Sequence, residues 1–159
     1  MKVSSRQAVM VALFLAAVAG GAFAAGGDSG NTEAWPKDEL SDQFKTLSDK
    51  GDWRGAAALM KEAITKTPGK ADYHNLYAYA VRKGPNPDMN LVFREYGEAL
   101  RLEPKHRGAH EYIGEAYLMT GNLAKAKAHL ATLDGLCMLG CEEYTKLKDA
   151  VAAYEARKK

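Results

Sequence analysis

Cys137 and Cys141 form the spacing in this chain most able to do chemistry. Three residues between them exclude covalent haem attachment, which needs C-x-x-C-H. Nor is the pair alone a zinc site, since two more ligands at ligand spacing are missing. Three chemistries stay open. The pair can form a disulfide around a loop so short that it removes little chain entropy, so the effect is local. It can act as a thiol-redox pair, with Cys141 at a helix start whose dipole favours the thiolate. Glu142 and Glu143 oppose that by repulsion, and such acids are in any case favoured in a first helical turn. Or the two thiolates can hold a soft ion such as Cu(I), joined by Met138 or a histidine.

The histidines are His74, His106, His110 and His129. His74 and His110 each fall six residues after a proline (Pro68 and Pro104), so they occupy equivalent positions in a repeat. Equivalent placement speaks for packing over metal binding. No Ser/His/Asp order, paired catalytic carboxylates or phosphate-binding loop is present. The expectation is a chain that is not an enzyme, with no cofactor and no assigned metal site.

The elements that would position these residues begin after a leader. Residues 1–24 read as a signal peptide. Lys2 and Arg6 precede the apolar run AVMVALFLAAVA (residues 8–19), which is too short to span a bilayer comfortably, and Ala22-Phe23-Ala24 supplies a small-x-small cleavage site. An uncleaved anchor is the competing reading, and no cysteine near the cleavage site supports lipid attachment. The expected localisation is therefore exported, periplasmic or secreted, and soluble after cleavage. Export would expose both cysteines to an oxidising compartment.

The whole chain has 22 Lys+Arg against 20 Asp+Glu, and loss of Lys2 and Arg6 with the leader leaves 20 of each. The mature chain carries no basic stripe, so nucleic-acid binding is not expected. Residues 25–36 begin with a Gly/Asp/Ser/Asn stretch and read as a flexible spacer.

From there the pattern is helical. Leu40, Phe44 and Leu47 mark a helix over 39–49, and Gly51 ends it. A second is expected over 53–67, stopped by Pro68-Gly69, and a third over 72–83. Gly84-Pro85-Asn86-Pro87 is a turn in which Asn86 suits a cap and Pro87 a first helical position, opening a helix that runs to Leu102. Helices over 106–120 and 122–133 follow, hinged at Gly121, with Gly135 as the left-handed stop. A seventh, over 141–157, carries Leu147, Val151 and Tyr154 on one stripe.

These pairs repeat. Gly51, Ala56, Ala63 and Pro68 give one copy of a skeleton; Gly84, Val92, Ala99 and Pro104 give a second. Gly121 and Ala126 begin a third, in which Leu133 and Met138 stand in the last two places. A period in the mid-thirties belongs to stacked helix-turn-helix units, each with an apolar face that a neighbour must cover.

With Tyr112-Ile113-Gly114-Glu115-Ala116-Tyr117 followed by Gly121, Ala126 and Leu130, the chain resembles the tetratricopeptide repeat family. Repeat two departs, with Ala78 in place of the glycine, Val81 in place of the tyrosine and two extra turn residues. The resemblance covers 37–138 and implies an all-α fold of about three helix pairs. Residues 139–159 would form a C-terminal capping helix. The Cys137-x-x-x-Cys141-Glu142-Glu143-Tyr144 tail is similar to one carried by small exported proteins with this repeat.

The resemblance also implies that the first helix of each pair lines a concave groove. Repeat two then offers Asn75, Tyr79, Arg82 and Lys83, and repeat three offers Glu111, Glu115, Leu118 and Met119. Cations in one repeat and acids in the next depart from the family's clamp for C-terminal carboxylates. A mixed groove suits an extended peptide or protein segment; the bland alternative is a solvated face. The expectation is a protein- or peptide-binding scaffold of a bacterial envelope. The alternatives are a thiol-redox or Cu(I)-handling protein acting through Cys137 and Cys141, and a structural subunit of an envelope complex.

Overall fold

Seven helices make up the described residues, 38–157, of this computed structural model. They are α1 (Glu39–Asp49), α2 (Trp53–Lys66), α3 (Ala71–Lys83), α4 (Met89–Leu102), α5 (Arg107–Met119), α6 (Leu123–Leu136) and α7 (Glu142–Ala156). No strand occurs among the described residues. The expected leader (1–24) and spacer (25–36) lie outside them. No helix among the described residues is long and apolar enough to cross a membrane.

Short polar side chains start most of these helices. Asp38, Asp52 and Asn122 each accept the backbone N–H three residues on, which satisfies an orphan donor of the first turn. Gly51 and Gly121 end the first helix of their pairs with φ of 71° and 82°, a region that L side chains rarely adopt.

Two boundaries differ from expectation. Asp88, not Asn86, caps α4: its carboxylate takes the N–H groups of Asn90 and Leu91, while Asn86 sits in the turn at φ 53°. Gly135 does not stop α6. The helix runs on to Leu136, and the left-handed residue is Gly140 at φ 84°. Gly140 N–H donates to Cys137 O at 2.7 Å, so this later turn closes the chain and leaves Gly135 inside the helix.

Each helix packs on the next, and α3 also meets α5, as α5 meets α7. The odd-numbered helices therefore form an inner layer and α2, α4 and α6 an outer one. Three buried clusters follow the same logic. The first joins Phe44 of α1, Met60 of α2 and Leu76 of α3. The second joins Ala78, Val92, Tyr96, Tyr112 and Ile113 from α3, α4 and α5. The third joins Leu118, Ala126, Leu133, Leu147 and Val151 from α5, α6 and α7. Every cluster is one helix pair closed by the helix that follows it.

The small residues of the repeat skeleton sit where helices come closest. Ala56, Val92 and Ala126, equivalent by spacing, are all fully buried. At Gly114 a Cβ would fall 2.6 Å from Leu147 Cδ2, and Leu147 itself is fully buried, so it has little room to yield. Gly114→Leu should therefore cost more than about 2 kcal/mol through overpacking. Part of that loss should be recovered in the Gly114→Leu, Leu147→Ala double variant. Urea unfolding of the two chains checks this, and equal stabilities would place the clash elsewhere.

Candidate functional site

Two kinds of polar contact set the spacing of the inner helices. The first is a row of charges at their N-terminal ends. Lys70 before α3 pairs with Asp38 before α1, and His106 Nε2 before α5 lies 3.2 Å from Asp72 of α3. Arg107 Nε of α5 lies 3.5 Å from Glu143 Oε1 of α7. Burial opposes ionisation of Asp38, but Lys70 and the Ser41 donors outweigh it and hold the carboxyl at about 2.

The second is a histidine clamp used twice. His74 Nε2 donates to Pro68 O at 2.9 Å, and His110 Nε2 donates to Pro104 O at 3.0 Å. Each ring ties the carbonyl that ends one repeat to the first helix of the next. The other nitrogens have different partners. His74 Nδ1 faces Glu95 Oε2 at 2.8 Å, whereas His110 Nδ1 faces His129 Nδ1 at 2.9 Å. Since the His110 proton lies on Nε2, its Nδ1 accepts, and His129 Nδ1–H is the donor. Burial, then the neighbouring His110, holds His129 down at about 4, which keeps this pair neutral.

The inner face gathers the eight residues expected to line a groove, in unequal states. Asn75, Arg82, Glu111 and Leu118 are buried, Tyr79 and Glu115 are half-buried, and Lys83 and Met119 are exposed. Arg82 is the centre of the arrangement. Its Nη2 lies 2.8 Å from Glu115 Oε2, its Nε donates to Tyr96 OH at 3.3 Å, and its guanidinium sits over the Tyr79 and Tyr112 rings. The cation of repeat two and an acid of repeat three thus neutralise each other across α3 and α5. Burial opposes the Arg82 charge, but Tyr96 and Glu115 outweigh it and raise its pKa.

Glu111 is 2% exposed, and burial pushes its carboxyl up to about 8. Lys146 of α7 works against that rise; Glu115, Glu143 and Glu142 add to it. Asn75 is fully buried with neither amide atom hydrogen-bonded.

Beside this cluster a cleft of about 600 Å³ opens between α5 and α7. Glu115, Leu118 and Met119 form one wall, and Ala150, Ala153, Tyr154 and Arg157 the other. Met119 is 55% exposed at the mouth of this cleft. Sequence reasoning named the α5 wall and missed the α7 wall. The apolar stripe of α7 marked it as a cap; the wall lies along the adjacent edge, where Ala150, Ala153, Tyr154 and Arg157 recur at i, i+3, i+4 and i+7, and its two alanines give little apolar signal.

Cys137 caps the end of α6 and Cys141 the start of α7, with Cα atoms 5.5 Å apart and sulfurs adjacent in disulfide geometry. Tyr144 N–H donates to Cys141 Sγ at 3.4 Å. Met138 and Leu139 between them are 89% and 103% exposed.

No family model matches the chain, and no curated protein matches its sequence. Solved structures do match. The type III secretion translocator chaperone SycD of Yersinia enterocolitica aligns with a TM-score of 0.63 at 14% identity, over 76% of this chain and 83% of that one. PcrH, in complex with the chaperone-binding region of PopD, aligns at 0.63 and 14%, over 76% and 92%. SycD in complex with a peptide of the translocator YopD aligns at 0.62 and 14%, over 76% and 93%. At this identity the likeness defines a fold: an all-α, tetratricopeptide-like stack of three helix pairs and a final helix.

Glu111 and His129 give opposite pH limbs. Glu111 binds its proton more tightly folded than unfolded, so its stabilising effect is full below its ordinary value of 4.5 and is lost as pH rises to about 8. His129 is the reverse: stability is lost as pH falls from 6.5 toward about 4, where protonation would leave two donors facing each other. Glu111→Gln should flatten the alkaline limb and His129→Gln the acid limb. Urea midpoints measured between pH 4 and 9 test both.

Proposed function

We propose that this chain is a peptide- or protein-binding scaffold whose ligand engages the inner face at the cleft between α5 and α7. The observation that carries this reading is the cleft itself. It joins an exposed thioether (Met119), a phenol (Tyr154) and a cation (Arg157) with the apolar side chains of Leu118, Ala150 and Ala153. Such a site suits one apolar side chain of an extended segment, with polar groups at the rim for its backbone or a flanking charge. Two structural neighbours, PcrH and SycD, are chaperones bound to segments of translocator proteins, which supports a peptide ligand here.

The scaffold is proposed to act in a bacterial envelope after removal of residues 1–24, with 25–36 as a spacer, 37–138 as the repeat domain and 139–159 as its cap. Export is read from the leader-like sequence, and the bacterial setting from the family resemblance. In the same compartment the Cys137–Cys141 pair is proposed to be oxidised and to fix the corner between α6 and α7.

Arg82 is a poor probe of binding, because its buried pairing with Glu115 and Tyr96 makes any replacement a folding variant. Met119 is better placed. Partners captured on the mature chain and identified by mass spectrometry supply the ligand. Met119→Glu should then weaken its binding about tenfold or more with an unchanged circular dichroism spectrum. Undiminished binding would move the site off this cleft.

A further inference from the structure

Glu143 stands beside the two cysteines. One ligand atom from each of Cys137, Cys141 and Glu143 lies within 4.8 Å of the other two. Glu143 is 3% exposed, so protein groups rather than water must meet its charge. Arg107 meets it only at 3.5 Å, and the Arg107 side chain is 43% exposed. A buried carboxylate has thus been brought against two sulfurs that, while bonded to each other, offer it nothing. Of the two sulfurs, that of Cys141 sits where negative charge is favoured: Cys141 is the N-cap of α7, and Tyr144 N–H points at its Sγ.

We propose that, once the pair is reduced, Cys137, Cys141 and Glu143 bind one Zn²⁺, leaving a fourth position for water or an exogenous ligand. Two thiolates and a carboxylate are donors that Zn²⁺ accepts in tetrahedral sites, and three protein ligands with one open position make an exchangeable site. Cu(I) fits this set less well, because it selects soft sulfur ligands. The thioether of Met138 lies in solvent, on a residue 89% exposed, and no histidine belongs to the cluster. Three anionic ligands exceed the charge of the ion by one, and Arg107, held to Glu143, offsets the remainder and orients the carboxylate.

The redox step balances with a dithiol as co-reactant. The dithiol gives up two electrons and two protons and closes to its own disulfide. The Cys137–Cys141 bond breaks, and each sulfur takes one proton. Zn²⁺ then displaces both protons to solvent. The ion replaces the covalent link between the end of α6 and the start of α7, so the corner stays closed in either redox state. This inference is independent of the peptide-binding reading.

The test uses the full chain, reduced with a phosphine and titrated with Co²⁺ as a spectroscopic probe. The expected result is one Co²⁺ per chain with a sulfur-to-cobalt charge-transfer band, abolished by one equivalent of Zn²⁺ and absent from the oxidised chain. Cys137→Ser should remove the band. Glu143→Gln and Arg107→Ala should each weaken Zn²⁺ binding about tenfold or more, measured against a chromophoric chelator. A reduced wild-type chain without the band overturns the proposal, and that readout requires no variant. Unchanged Zn²⁺ affinity in Glu143→Gln, or in Arg107→Ala should the first fail to fold, overturns the three-ligand site.

Discussion

Each helix pair in this chain has an apolar flank that it cannot cover by itself, and the rest of the structure follows from that. Phe44 and Met60 are buried because Leu76 of the next pair closes over them. Val92 and Tyr96 are buried by Tyr112 and Ile113 in the same way. The cost of leaving such a flank in water is large: a single fully buried side chain of this size contributes roughly 1.5–3 kcal/mol. Stacking is therefore obligatory, and the repeat skeleton records where helices must come close enough to achieve it.

The junctions between repeats show how that stacking is kept in register. Backbone carbonyls at the end of a helix are orphan acceptors. Just past the ends of α2 and α4, the Pro68 and Pro104 carbonyls each accept from a histidine six residues on, which in the same contact fixes the next inner helix. The third junction has Met138 where the proline stood and Tyr144 where the histidine stood. There the Cys137–Cys141 pair and the turn at Gly140 hold the corner instead. The chain thus replaces a polar clamp with sulfur at its third junction.

Periodicity made the helices, their pairing and the small-residue contacts legible, because those features depend on residue type at fixed spacing. Gly114 is the clearest example. Its place in the family pattern marked a close approach, and Leu147 is what approaches. Partnerships between distant residues were not legible. Arg82 and Glu115 read as an open mixed-charge groove, yet they form one ion pair in which Arg82 is buried and Glu115 half-buried, since spacing along the chain does not say which charges meet across a stack. Asn86 and Gly135 misled for a local reason: each suits a helix boundary by type, and a neighbour whose carboxylate takes two backbone N–H groups (Asp88) or a later turn (Gly140) took the role.

Helix α7 has two duties that pull in the same direction. Leu147 and Val151 close the last apolar flank, while Ala150, Ala153 and Tyr154 form a wall of the cleft. One short helix therefore supplies both the end of the core and half of the candidate site. Its N-terminus is fixed at the cysteine corner and by Arg107, and Lys127 ties Glu155 near its other end. The C-terminal ion pair is half-exposed and worth little on its own. Freedom of α7 is then governed mainly by the buried stripe and the sulfur corner. Any ligand that fills the cleft gains contacts only with α7 in place, so it favours the closed corner by mass action. Conversely, whatever loosens that corner lowers the population able to bind. Cap and corner are thus coupled by mass action to any ligand that the cleft takes.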